Sequence, residues 1–360
     1  MATSSKEFFL RTRSILFVSN TSQTKRPFKD PSTRYRCYTP AAALSRRGFR
    51  TAVTSQVDFE EHTKKYEDFE IVVFHRPVMN ERIGEYLCVM NKSERIVADY
   101  DDYIINVGDA WLTPAYRFRG ESITNTARYL ARNAAAARYF SRFTVSTSPL
   151  AREVQALFGP KQAEVISNAL DPGFQGTAQL IRERMRDRRR EYRFGYFAGT
   201  ATHDKDLADI APALARALEI DSKARMLVLG PAKIPEELLK LGTRVEHRQA
   251  VVPFHRLPAV MAQVETVVAP LERNLFTECK SGLKFFEAAA VGCTVVATPI
   301  PDIDRFESTL LRKCVSFEQW VEALTTPFSL TPAEREAEVR RVVGLVDVDN
   351  VIRTWEAKIA

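Results

Sequence analysis

Short apolar runs rich in β-branched and aromatic residues recur along this chain, each followed by a longer stretch whose apolar residues have helical spacing. That alternation constrains the fold more than any other feature. Strands separated by helices must run mostly parallel and be joined by crossovers, so the pattern predicts an α/β chain with doubly wound sheets rather than a sandwich or a helical bundle. The first run is Ile15 to Ser19, followed by a polar loop with Lys25, Arg26 and Arg34, then a helix from Pro40 to Arg46 that Gly48 stops. Further strands are predicted at Phe49 to Thr54, Phe69 to Phe74, Arg95 to Ala98, Phe143 to Ser146 and Ala163 to Ile166.

The pattern breaks at NALDPGFQG, Asn168 to Gly176, a turn-rich segment suited to a hinge. A second series then begins. It reads as a strand at Phe194 to Phe197, a Gly-Thr loop, a helix near Leu207 to Leu218, a strand at Met226 to Leu229 and a Gly230-Pro231 turn. Beyond these come Val264 to Ala269, a helix near Ser281 to Val291 and the strand Thr294 to Ala297. With 360 residues the chain is too long for one ordinary α/β core and suits two. The expected division is 1–172 and 173–348 around a central cleft, with 349–360 a helix that packs back on the first unit.

Composition narrows the partners. The longest apolar stretches, such as Ile71 to Phe74 and Val291 to Thr298, fall far short of the ~20 residues a spanning helix requires. The N-terminal segment lacks the apolar core of a secretory signal, and five cysteines without a C-x-x-C pair suggest neither a disulfide framework nor a zinc site. A cytoplasmic chain is expected. A formal charge of +7 favours anionic partners, but no nucleic-acid motif is present, which argues against nucleic acid. The densest basic run, Arg182 to Arg193, suits a solvated helix or linker, or a peripheral contact with an anionic inner membrane face.

In an open parallel sheet, ligands gather at the carboxyl ends of the strands. His75-Arg76-Pro77 and Asp99-Tyr100-Asp101-Asp102 are placed there in the first half. In the second half, Ala269 to Ile303 reads as strand, loop, helix, Gly stop and strand, with Lys280, Ser281 and Gly282 opening the helix. A helix N-terminus offers free N–H groups and partial positive charge to a phosphate. Lys280, Lys284 and Glu287 share one helical face: the lysines suit an anion, and the carboxylate suits a pair of ribose hydroxyls. The same spacing also fits a surface charge ladder, with Leu283, Phe285 and Phe286 turned to the core.

This segment resembles the donor-binding domain of GT-B glycosyltransferases, especially the family 4 or group 1 enzymes. Gly282-Leu283, Glu287-Ala288 and AVGCTVVAT fall in register with the family's Glu-x7-Glu element. The resemblance assigns donor ribose to Glu287 and the donor sugar to a first glutamate, whose place Cys279 takes here, with Glu278 one residue early. FGYFAGTATHDKDL, Phe194 to Leu207, matches a second element: Gly199 and Lys205 agree, Thr200 stands where Arg is usual, and His203 supplies a substitute charge or is a surface loop histidine.

The resemblance implies two Rossmann-like domains facing a cleft and a retaining sugar transfer from a UDP-, GDP- or dTDP-sugar to a glycan or lipid-linked acceptor in cell-surface polysaccharide synthesis. No cofactor or metal is required by it. The donor-binding set is then Gly199, Thr200, His203, Lys205, Lys280, Ser281, Gly282, Leu283, Lys284 and Glu287. Catalytic candidates are His75, Glu278 and Lys205, with Arg34, Arg76, Asp101 and Asp102 on the acceptor side. For His75 the alternative is a strand-end cap, and for Asp101 and Asp102 it is turn formation or metal binding. Two other functions fit the same domain: a nucleotide-sugar epimerase, and a binding scaffold that has lost catalysis.

Overall fold

A computed structural model of the chain describes residues 13–185, 188–199 and 204–359. Among these residues, twelve strands form two six-stranded parallel sheets. The first contains β1 (Ser14–Ser19), β2 (Arg50–Ser55), β3 (Ile71–His75), β4 (Ile96–Tyr100), β5 (Arg142–Val145) and β6 (Gln162–Val165), in the order β2-β1-β3-β4-β5-β6. The second contains β7 (Tyr192–Phe197), β8 (Met226–Leu229), β9 (Val245–Arg248), β10 (Val264–Ala269), β11 (Thr294–Ala297) and β12 (Leu311–Lys313), ordered β12-β11-β10-β7-β8-β9. Helices cover both faces of each sheet, so β1, β8 and β11 are buried throughout and mostly apolar rather than alternating.

Each strand order reverses once. In the first sheet the reversal lies between β1 and β3, and in the second between β7 and β10, which sets one crevice in each unit. Ser19 and His75 stand at the first; Ala198, Gly199 and Ala269 stand at the second. Gly230, at φ +100°, ends β8 where a Cβ would sit 1.8 Å from the Ala198 carbonyl oxygen, so only glycine lets these strand ends approach.

The hinge expected at Asn168 to Gly176 is shorter than predicted. A helix already begins at Pro172 and runs to Met185, with the Asp171 side chain accepting from the Phe174 amide at 2.9 Å. Arg36 holds the preceding turn through the Ile166 carbonyl (2.6 Å) and Asn168 Oδ1 (3.1 Å). Helix Val348–Lys358 buries Val348, Ile352 and Trp355 in the same cluster as Ile15 and Phe17, and Trp355 lies 5.9 Å from the Phe17 ring.

The basic run is also partly structural. Arg190 donates to the carbonyls of Val264 (2.6 Å), Val291 and Gly292 (both 3.1 Å), and Arg182 donates to that of Ala290. These guanidiniums cap the carboxyl end of helix Leu283–Ala290, where the chain presents unpaired carbonyls and partial negative charge. Arg184, Arg188 and Arg189 remain exposed. No helix among the described residues is long and apolar enough to cross a membrane.

Candidate functional site

Helix Leu283–Ala290 starts beside the second crevice because Gly282, at its N-cap, fits against Ile303. A Cβ there would meet Ile303 Cγ2 at 2.6 Å. The Gly282 amide is not open to a phosphate as expected: it donates to Asp302 Oδ2 at 2.7 Å. Anion-binding capacity lies instead in the side chains around it. Ser281 Oγ and Lys284 Nζ are both buried without a hydrogen-bond partner. Burial lowers the Lys284 ammonium below the usual lysine range, with Asp206 only partly opposing it, and the Tyr196 ring 5.3 Å away gives weak compensation. Leu283 packs against the core of this domain.

Glu287, one turn further along, is 6% exposed. Burial pushes its carboxyl up to about 7, against the opposing effects of Tyr35, Arg34 and Lys284. The Tyr35 hydroxyl, from the other domain, donates to Glu287 Oε1. Three more contacts close the cleft: Lys280 to Asp102 at 3.2 Å, Arg117 to Glu272 at 2.6 Å, and Thr147 Oγ1 to the Cys279 carbonyl at 2.9 Å. Lys280 also lies 4.7 Å from the Phe276 ring. Lys280, Ser281, Gly282, Lys284 and Glu287 are therefore gathered at one place, and the surface-ladder alternative fails for Lys284 and Glu287.

The first-half candidates form a closed network. His75 is 1% exposed; its Nδ1 meets Ser19 Oγ at 2.9 Å, while its Nε2 meets Asp101 Oδ1 at 3.0 Å and Ser32 Oγ at 3.1 Å. Both ring nitrogens are engaged by side chains of the first domain, an arrangement that suits a strand-end anchor. Asp101 accepts from Ser32 and from Arg76 Nε (2.6 Å), and Arg76 reaches Asp102 at 2.9 Å. Burial alone would raise the Asp101 carboxyl, but Arg76 and His75 hold it well below the usual range. Arg76 and Lys280 pair with these two carboxylates, and no group of three or more His, Cys, Asp or Glu placed to hold a metal occurs among the described residues. Arg34 is buried under the cleft wall, stacked on Phe28 and Phe254.

The remaining candidates lie apart from this cluster. Glu278 is exposed at the end of the short helix Leu275–Glu278, while Cys279 is buried in the N-terminal core cluster with Phe276. Lys205, on the first turn of helix Asp204–Ile220, pairs with Asp209 at 2.7 Å on the surface. Gly199 closes the described part of its loop; Thr200 and His203 lie outside the described residues.

Several site residues carry no local signal in the sequence. Tyr35 belongs to a π-helical turn, Arg34–Tyr38, and reaches Glu287 across 252 positions of chain. Asp302 faces Gly282 from the short helix Pro301–Asp304 that follows β11, and Arg36 forms a buried pair with Asp99 at 2.5 Å, joined by Thr144 Oγ1. Only the PIPDI turn, already attached to the family-like segment, could have drawn attention to Asp302.

Residues 192–326 match the family described as glycosyl transferases group 1. No curated protein matches the chain in sequence. Among solved structures it is similar to HepE from Anabaena in complex with UDP and glucose, at 14% identity and TM-score 0.61, covering 96% of this chain and 98% of that one. It is similar also to WaaG, a glycosyltransferase involved in lipopolysaccharide biosynthesis, at 14% identity and TM-score 0.62 over 96% and 99%. Sucrose-phosphate synthase from Thermosynechococcus elongatus gives 13% identity and TM-score 0.66 over 96% and 98%. Identities this low carry the fold alone. The fold is the GT-B architecture, and within its C-terminal unit residues 192–326 are similar to the group 1 glycosyl transferase family.

Proposed function

We propose that this chain moves a sugar from a nucleotide-sugar donor, held by residues 173–348, to a glycan or lipid-linked acceptor presented by residues 1–172, with 349–360 closing back on the first unit. The observation that carries this reading is the set at the start of helix Leu283–Ala290: a buried ammonium and a buried hydroxyl with no protein partner, one turn from a buried carboxylate. Native proteins rarely leave such groups unsatisfied, and each costs on the order of 1–3 kcal/mol when orphaned. A diphosphate would satisfy Lys284 and Ser281, and a ribose diol would satisfy Glu287.

Transfer builds negative charge on the leaving diphosphate while the anomeric carbon becomes oxocarbenium-like. Lys284 and Lys280 would stabilise that charge electrostatically, and closure of the cleft would exclude water. Lys205 reaches the same diphosphate in this reading once freed from Asp209, and the family resemblance assigns Thr200 and His203 to the donor as well. Retention of anomeric configuration and a place in cell-surface polysaccharide synthesis follow from the family resemblance. HepE is seen with UDP-glucose, which favours UDP over GDP or dTDP as the carrier. We assign the chain to the cytoplasm, with Arg184, Arg188 and Arg189 available for a peripheral contact with anionic lipid.

A thermal-shift series with UDP, GDP, dTDP and their sugar conjugates tests the donor site, because a ligand of the native state raises its apparent stability. The expected result is a shift with one nucleotide that Glu287→Ala and Lys284→Ala each abolish. Normal binding by both variants would overturn the assignment.

A further inference from the structure

Beside Glu287 the C-terminal domain presents an aromatic face. Phe254, between β9 and β10, packs on Phe174 at 5.5 Å and receives two side chains from the other domain. The Arg34 guanidinium lies 4.0 Å from its ring centroid, and Tyr35 meets it edge-on at 5.9 Å before donating to Glu287. A planar, delocalised group thus covers an aromatic ring while the next residue's hydroxyl reaches a carboxylate. A nucleoside offers the same two features, a flat base and ribose hydroxyls.

Arg34 makes few hydrogen bonds for a buried arginine and is held mainly by the Phe28 and Phe254 rings. It makes one hydrogen bond, from Nη2 to the Phe28 carbonyl at 3.2 Å, and its Nε is buried without a partner. Arg36, two residues on, has Nε and both terminal nitrogens engaged. Arg34 and Tyr35 open a π-helical turn, a conformation concentrated at functional sites. Both belong to the N-terminal domain, so opening the cleft withdraws them together.

We propose that Phe254 stacks the base of the donor, and that Arg34 and Tyr35 fill the base and ribose positions when no donor is bound. The proposal rests on the reading of Glu287 as the ribose ligand. An internal occupant lowers apparent affinity by the fraction of molecules whose seat is open, so removing it tightens binding.

The test is calorimetric titration of the full chain with UDP, and with GDP and dTDP in parallel. Tyr35→Phe, which deletes only the hydroxyl, is expected to bind its preferred nucleotide about tenfold more tightly, and Arg34→Ala with Tyr35→Phe more tightly still. Phe254→Ala is expected to weaken the nucleotide by about tenfold or more while leaving pyrophosphate unchanged, and Phe254→Tyr to restore it. Equal or weaker binding by Tyr35→Phe overturns the internal occupant, and unchanged nucleotide binding by Phe254→Ala overturns the base seat. Glu287→Ala separates the two levels. If it binds nucleotide normally, the donor site itself is misplaced and the proposal falls with it; if it weakens while Tyr35→Phe does not tighten, only the occupant is lost. No binding of any of the three nucleotides by either wild type or Tyr35→Phe overturns the proposal.

Discussion

The two crevices are lined by similar residue types, yet they end in opposite states. At the carboxyl ends of β1, β3 and β4, each charged or imidazole group finds a partner within its own domain: His75 with Ser19 and Asp101, Arg76 with Asp101 and Asp102, Arg36 with Asp99. At the start of helix Leu283–Ala290, Lys284 and Ser281 have no hydrogen-bond partner, and Glu287 finds one only across the cleft. A saturated network anchors loops and linker. An unsaturated one carries a cost that a ligand can repay. The difference teaches that charge and position at a strand end do not by themselves mark a ligand site; whether a group's hydrogen-bonding capacity is already met depends on the packing around it.

Breaking the saturated side should have the largest effect on stability. Arg36→Ala leaves Asp99 buried and unpaired and also frees the Ile166 carbonyl, so urea denaturation should show a loss of roughly 3–5 kcal/mol. A variant that unfolds like wild type would mean that this network is not structural.

The next effect concerns Glu287 and pH. Its carboxyl is raised from 4.5 to about 7 in the folded chain, so the native state binds the proton more tightly than the unfolded state does. The favourable contribution is fully present below the unfolded value and is lost as pH rises through the folded one. Between pH 4.5 and about 7 the wild type should lose on the order of 3 kcal/mol relative to Glu287→Gln. Parallel pH profiles of the two proteins in urea titrations would contradict the burial of this charge.

A smaller effect of opposite sign is expected at Lys284. Lys284→Met removes a buried ammonium that lacks a hydrogen-bond partner, and should stabilise the chain by about 1–2 kcal/mol while weakening nucleotide binding at least tenfold. Loss of stability and binding together would place Lys284 with the saturated network instead. The smallest stability change belongs to Lys205, whose pair with Asp209 is on the surface. Lys205→Ala should change stability by less than about 0.5 kcal/mol, so a drop in donor affinity, read by titration, would isolate a binding role.

Much of the second half is legible in the sequence. The strands Met226–Leu229, Val264–Ala269 and Thr294–Ala297 have the bounds expected from their sequence, because a strand buried on both faces writes a mostly hydrophobic run between Gly and Pro punctuation, broken here only by the exposed Glu265 and by threonines. The helix start with Lys280, Gly282, Lys284 and Glu287 was legible because helical periodicity fixes which side chains share a face. His75, Arg76, Asp101 and Asp102 were placed correctly at strand ends, but strand-end position does not say whether a group is already satisfied. Residues 168–176 looked like one flexible turn because their glycines and proline suit turns, yet Pro172 opens a helix and Gly173 and Gly176 lie within it.

The sequence by itself determined the alternation of elements, the two parallel sheets and the composition of the helix that carries Lys284 and Glu287, since all of these follow from local periodicity and turn chemistry. Only the tertiary structure decided which charges are paired. Tyr35 meets Glu287 and Asp102 meets Lys280 across 252 and 178 residues of chain. Such contacts depend on how two domains close over one another, and no periodicity along the chain encodes that.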